Sequence, residues 1–435
     1  MKRVLFLTAG LLAALAPGAA AAQTVAITGG TVAIGDGSAP IENGTVVIAD
    51  GRVVAAGRGV AVPAGAQVVD AAGKWVVAGV VSAMTDLSLV DADGVSESND
   101  SGARNALYKA SIDVSTAVNP AGVKVANERL GGVTRAIVAP SVGGSIFAGQ
   151  GAVIDLGADA DAVTRPRAFQ YIEMGEEGGK EAGGSRPAAY ALLRDTFQQA
   201  QDYRRNPATF DGRSRESILK RADAEVLLKV LDGQVPLLVH VERAADIRQV
   251  LALPRDFPKL KLVLVGVTEG WLVAREIAAA RVPVIAQALA DLPANFENLA
   301  ATESNVGRMR AAGIPVALRA TGASGGDHVL RQFAGNLVAI ARVPGATGLD
   351  WGQAFASITS APAEAIGMGA ELGSLRPGRR ADVVMWDGDP LELSSAPVAV
   401  WIDGQPQPMR SRQTDLRDRY LTPTEGALPK AYERR

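Results

Sequence analysis

Histidine and cysteine set the first limit on chemistry: 435 residues contain two histidines, His240 and His328, and no cysteine. His240 closes the apolar run of "VPLLVHVERAAD", and Glu242, two residues on, points the same way if that run is a strand. Asp86 closes "AGVVSAMTD" in the same manner, with Met84 on its face. A carboxylate on an inward strand face needs a partner, so Asp86 pairs with His240 or serves as a salt bridge or strand-end cap. His240 read alone is equally a buried strand histidine, hydrogen-bonded in the interior. His328 follows Asp327 after Gly325 and Gly326, and Asp327 reads as the N-cap of a helix starting there. No Gly-x-Ser-x-Gly elbow follows a strand, and no glycine-rich phosphate loop follows the early ones.

The elements that must position these residues fall into two textures. From 24 to 70, short β-branched runs (24–27, 31–34, 45–49, 52–57 and 67–70) alternate with Gly29-Gly30, Asp36-Gly37, Asn43-Gly44 and Asp50-Gly51. Asx-Gly pairs between such runs signal hairpins. The texture returns at 382–386 and 398–402, with Asp403-Gly404 as the turn. Between them, apolar runs at 75–81, 133–139, 235–241, 261–267, 282–286 and 314–318, with weaker ones at 152–156 and 168–174, alternate with helical patterns such as 243–253, 271–280, 296–312 and 329–341. Buried parallel strands alternating with helices, eight in number, predict a (β/α)8 TIM-like barrel. The two β-rich ends predict one composite β-sandwich. Expected boundaries are 1–22 signal peptide, 23–73 and 368–408 sandwich, 74–367 barrel, and 409–435 charged tail. Residues 175–185 read as a loop or lid, and 188–232 as a helical insertion on the rim.

Residues 1–22 carry Lys2 and Arg3, an apolar run and Ala20-Ala21-Ala22 before Gln23, which reads as export to the periplasm or outside. That run is too short for a membrane span, which needs roughly 20 residues. The 44 basic and 46 acidic residues give −2, and 42 − 46 gives −4 without the signal. This balance argues against nucleic acid and leaves a small-molecule ligand or a second protein subunit as partner.

The boundary strings "ITGGTVAIGDGSAPIENGTVVIADGRVVAAG", "VVDAAGKWVVAGVV", "TSAPAEAIGMGAELGSLRPGRRADVVMWDGDPLE" and "VAVWIDGQ" resemble the amidohydrolase superfamily, in particular its exported imidazolonepropionase-like branch. "GGVTRAIVAP" and "GQGAVIDL" in the middle resemble it too. The resemblance implies a barrel with an end-to-end sandwich, and a binuclear metal site of four histidines, an aspartate and a bridging carboxylate or modified lysine. It also implies hydrolysis of non-peptide C–N bonds in small amides. At its ligand positions this chain has Met84 and Asp86 for the two first-strand histidines, His240 at the fifth strand, Gly266 at the sixth, and Thr321 or Ala320 for the eighth-strand aspartate. Glu176 stands for the bridging carboxylate, with Glu173 as runner-up.

Two imidazoles cannot supply four, and methionine is a poor ligand for hard or borderline divalent ions. The expected reading is therefore an amidohydrolase-type protein with most metal ligands lost, acting as a binding protein or partner subunit. The alternative is a hydrolase with a reduced one-metal or metal-free site. The candidate catalytic residues are His240, Asp86 and Glu176, and Met84, Glu242, Gly266 and Thr321 are expected in the pocket. No cofactor is expected, except zinc if His240, Asp86 and Glu176 hold one.

Overall fold

The structure, a computed structural model, describes residues 24–210, 219–320 and 326–421. The segment read as a signal peptide, Thr321 and the end of the charged tail lie outside the described residues. In chain order the strands are β1 (Val25–Ala33), β2 (Ile41–Ala49), β3 (Arg52–Arg58), β4 (Gln67–Asp70), β5 (Trp75–Ala78), β6 (Val80–Thr85), β7 (Val133–Val138) and β8 (Phe147–Asp155). They continue as β9 (Val163–Glu173), β10 (Leu237–Val241), β11 (Leu262–Gly266), β12 (Val284–Gln287), β13 (Val316–Arg319), β14 (Val383–Trp386), β15 (Pro397–Ile402) and β16 (Gln405–Pro406).

The chain ends meet in one eight-stranded sheet of order β16-β15-β14-β5-β1-β2-β3, with β4 on β1. β14 joins the halves by pairing antiparallel with β5, from Val383 opposite Ala78 to Trp386 opposite Trp75. β1 pairs β4 along Val25–Thr28 and β5 along Thr31–Ala33, so the sheet forks there. Asp50 and Asp403 take left-handed φ values of 51° and 49°, as their hairpin turns require. Two other glycine pairs turn nothing. Gly29-Gly30 and Asn43-Gly44 lie inside β1 and β2, where the register slips, so they make bulges in continuous strands.

The run at 75–81 is two strands in two sheets. It splits at Gly79, where a Cβ would stand 2.1 Å from Thr134 Oγ1, so only glycine lets the chain pass from β5 to β6. Trp75–Ala78 thus belongs to the second sheet.

β6 to β13 form the nearly closed barrel sheet, in sequence order. It departs from strict (β/α)8 topology: β8 runs antiparallel to both β7 and β9. Residues 139–146 and 156–162 join these strands, and connections that short make hairpins, whereas a parallel crossover needs a dozen or more residues. The other adjacent pairs are parallel. β8 is buried along its whole length.

Arg135 on β7 fastens the barrel to the second sheet. Its fully buried guanidinium bonds Asp382 through Nε (2.7 Å) and Nη2 (2.9 Å). It also meets Asp403 at 2.8 Å and Thr164 at 2.7 Å. Burial works against its charge, yet Asp382 and Asp403 outweigh burial and raise its pKa.

Local patterns were less faithful outside the strands. The expected lid at 175–185 contains a short helix, Glu176–Glu181. The insertion holds helices Arg186–Arg205 and Arg221–Leu231. The pattern at 296–312 is helical only over Asn305–Ala311, because Asn295 turns the chain by accepting the Glu297 N–H at 3.0 Å. The described part of the tail carries an exposed helix, Arg412–Tyr420. No helix among the described residues is long and apolar enough to cross a membrane.

Candidate functional site at the barrel mouth

His240 lies on β10 directly opposite Glu173, the last residue of β9. Its Nδ1 is 2.7 Å from Glu173 Oε2 and 2.9 Å from Oε1, and its Nε2 is 3.0 Å from Glu242 Oε1. Strand alternation brings Glu242 to the same face as His240. The rest of the network is closed as well. Glu173 accepts the Gly175 N–H at 2.9 Å, and Glu242 accepts both the N–H (2.8 Å) and the hydroxyl (2.7 Å) of Thr268. Burial opposes a charge on the imidazole, but Glu173 and then Glu242 outweigh it and push its pKa up to about 10. Glu242 is held below the usual carboxylate range: burial raises it, and the His240 bond and charge prevail. His240 is thus clamped between two carboxylates that favour its imidazolium form, with both ring nitrogens engaged.

Gly266 ends β11 beside this clamp with φ at +90°, and a Cβ there would fall 2.6 Å from Glu242 Oε1 and 2.9 Å from His240 Nε2. The Glu242 carboxylate fills the space a side chain at 266 would need. Val267 follows at φ +51°, an unusual conformation for a β-branched residue. Met84 is also left-handed, at φ +56°, where the β6–β7 register slips. Met84 thus carries strain at a position where the resemblance places a metal ligand, and Val267 carries it next to a second such position, Gly266.

Glu176 lies outside the clamp. It opens its short helix, donates its N–H to Glu297 at 2.8 Å, and its carboxylate is 3.8 Å from Lys180. Glu173, three residues earlier and directly opposite His240, holds the inward position. Asp86 does not pair with His240, whose two nitrogens are taken by the glutamates.

Asp86 and Met84 instead line a cavity of about 660 Å³ together with Thr85, Glu128, Tyr171, Arg319, Asp327 and His328. Asp327 is buried here, and its side chain caps no helix. The Thr85 hydroxyl, 242 positions away, donates to its Oδ2 at 2.8 Å, which overrides the local capping pattern. Burial, then the neighbouring Glu128 charge, push the Asp327 carboxyl up to about 6. His328 donates its N–H to Glu128 at 2.6 Å and sets Nδ1 3.1 Å from the same oxygen. That hydrogen bond raises its pKa. Tyr171, Glu128 and Arg319 escaped sequence reasoning. The signals were thin: Tyr171 alternates with Glu173 on one strand face, and Arg319 puts a charge at the end of an apolar run.

These donors do not fit a binuclear metal centre. His240 has no free nitrogen, Met84 offers a thioether and Gly266 offers nothing. Among the described residues no group of three or more His, Asp or Glu side chains is disposed to hold a metal ion.

Residues 191–407 match the amidohydrolase family. A 60-residue stretch is 53% identical to the amidohydrolase tasK of Hapsidospora irregularis, covering 14% of this chain and only 6% of that protein's length. The crystal structure of an amidohydrolase from Thermotoga maritima superposes with a TM-score of 0.78 at 22% identity, covering 89% of this chain and 100% of that one. Molinate hydrolase superposes with a TM-score of 0.53 at 18% identity, covering 89% of this chain and 95% of that one. A triazine hydrolase variant gives 0.53 at 18% identity, covering 91% and 97%. These structural likenesses concern the fold, a barrel with a second sheet.

Proposed function

We propose, from the premise that residues 191–407 belong with the amidohydrolase family, that this chain binds a small molecule at its barrel mouth, as a binding protein or partner subunit, without the hydroxide-generating metal centre. The observation that carries this reading is the clamp on His240. Both ring nitrogens are engaged by Glu173 and Glu242, and Glu242 fills the space at Gly266 where the sixth-strand ligand would stand. An imidazolium is a donor at both nitrogens and must give up a proton, and a carboxylate partner, before it can ligate a metal. Without a second cation and an eighth-strand general base, water attack on an amide loses its main assistance.

A second reading keeps the reaction class, hydrolysis of C–N bonds in small amides, and Asp327 favours it. A buried carboxyl with a pKa near 6, facing the cavity, is suited to general base work at neutral pH. Export, read from residues 1–22, belongs to the same proposal.

One experiment addresses all three points. Protein purified from its native host should begin at Gln23, carry well under one zinc per chain, and hydrolyse small amides near background. Stoichiometric zinc with turnover abolished by His240→Ala would overturn the binding reading. Metal-independent turnover lost in Asp327→Asn would put the second reading first.

A further inference from the structure

The cavity wall holds groups that no described residue satisfies. Arg319 ends β13 and lines the cavity, yet its guanidinium has no hydrogen bond or ion pair among the described residues, and its Nε is buried. Tyr171, on β9, is buried but for its face on the same cavity, and its hydroxyl has no hydrogen-bond partner among the described residues either. The two are near enough for the charge on Arg319 to act on the phenol. On the neighbouring wall the Asp86 carboxylate is exposed and has no partner among the described residues, and it lies close enough to Asp327 to act on its ionisation. Buried polar atoms such as Arg319 Nε are nearly always partnered. Two donors and an anion left open on one cavity therefore point to a ligand that completes them.

We propose that Arg319 and Tyr171 form a seat for the carboxylate of a small zwitterion, whose cationic nitrogen is held by Asp86 with Asp327 beside it. The proposal rests on the reading that the barrel mouth holds a ligand, and it names that ligand's class. A guanidinium presents two parallel N–H groups to a carboxylate, and a phenol adds a third donor. The free carboxylate of Asp86 selects a positive group at the other end. A cavity of about 660 Å³ is of the size that encloses small organic ligands.

Calorimetric titration of the full chain with L-alanyl-L-alanine, its C-terminal amide and its N-acetyl form tests this. The unmodified dipeptide should bind at least about tenfold more tightly than the amide, as expected for loss of a charge-assisted carboxylate contact. Arg319→Gln should abolish that preference, Arg319→Lys should retain part of it, and Tyr171→Phe should reduce it. Asp86→Asn should narrow the preference over the N-acetyl form. Circular dichroism and thermal unfolding of each variant separate loss of binding from loss of fold. Equal affinity of the wild-type chain for acid and amide would overturn the proposal, and needs no variant. So would an acid preference that survives Arg319→Gln, or no binding of any probe at millimolar concentration. Zinc content and dipeptide cleavage, followed in the same samples, report separately on the binding-protein reading.

Discussion

The two halves of the barrel mouth treat their polar groups in opposite ways. Where β9, β10 and β11 end, His240, Glu173 and Glu242 satisfy one another, and Gly175 and Thr268 supply further donors. Where β6 and β13 end, Asp86 and Arg319 have no partner among the described residues, and Asp327 has the Thr85 hydroxyl. A fully satisfied buried network rigidifies its surroundings, whereas groups that face an open cavity are left to water or a ligand. The first half is built as structure and the second is left open to solvent. Perturbing the first should therefore damage stability, and relieving the second should improve it.

The largest effect should come from His240→Ala, which leaves two carboxylates facing each other without a cation. Removing one partner of a buried charge pair costs about 3–5 kcal/mol, and urea unfolding at pH 7 would measure it. The pH dependence sharpens this. The folded pKa of about 10 lies above the unfolded 6.5, so the His240 contribution is complete below pH 6.5 and is lost as pH rises towards 10. The difference between wild type and variant should shrink across that window. A loss under about 1 kcal/mol, or a difference independent of pH, would erase the contrast between the halves.

Gly266→Ala should come next. The new methyl would meet Glu242 Oε1 at 2.6 Å and His240 Nε2 at 2.9 Å, on a backbone at φ +90°. Strain at such a position, together with displacement of the clamp, should cost about 2–3 kcal/mol in the same unfolding assay. A neutral result would mean that Glu242 can leave His240 at little cost, and that the clamp is looser than its geometry.

How far this contrast could be read beforehand differs between fold and site. The hairpin texture of both ends indicated their shared sheet, because Asx-Gly turns and β-branched runs act locally. Strand direction is not written in apolar periodicity. Only the connections of β8, at 139–146 and 156–162, exclude a parallel crossover. The run at 75–81 read as one strand because its break at Gly79 is imposed by Thr134, remote in sequence. In the site, alternation placed Glu242 beside His240, but register between strands was needed to choose Glu173 over Glu176. Asp327 matched a helix cap locally, and a hydroxyl 242 positions away claimed it. Arg319 was visible as a charge closing an apolar strand, although its lack of a partner is a property of the assembled barrel.

The smallest effect carries the sharpest sign. Asp327 has a folded pKa of about 6 against 3.8 unfolded, so the fold prefers its neutral form. Its favourable contribution is complete below pH 3.8 and is lost as pH rises through 6, after which the chain holds a buried charge beside Glu128. Asn is nearly isosteric, keeps a carbonyl oxygen for the Thr85 hydroxyl, and cannot ionise. Asp327→Asn should therefore stabilise the protein at pH 8, by about 1–2 kcal/mol once the Thr85 bond to the charged form is discounted. Below pH 4 the gain should vanish. The two halves would then answer in opposite directions to the loss of an ionisable group: destabilised at His240, stabilised at Asp327. If Asp327→Asn weakens the fold equally at pH 4 and pH 8, Asp327 is a structural acceptor like Glu173, and the open half of the mouth is narrower than its unpartnered groups indicate.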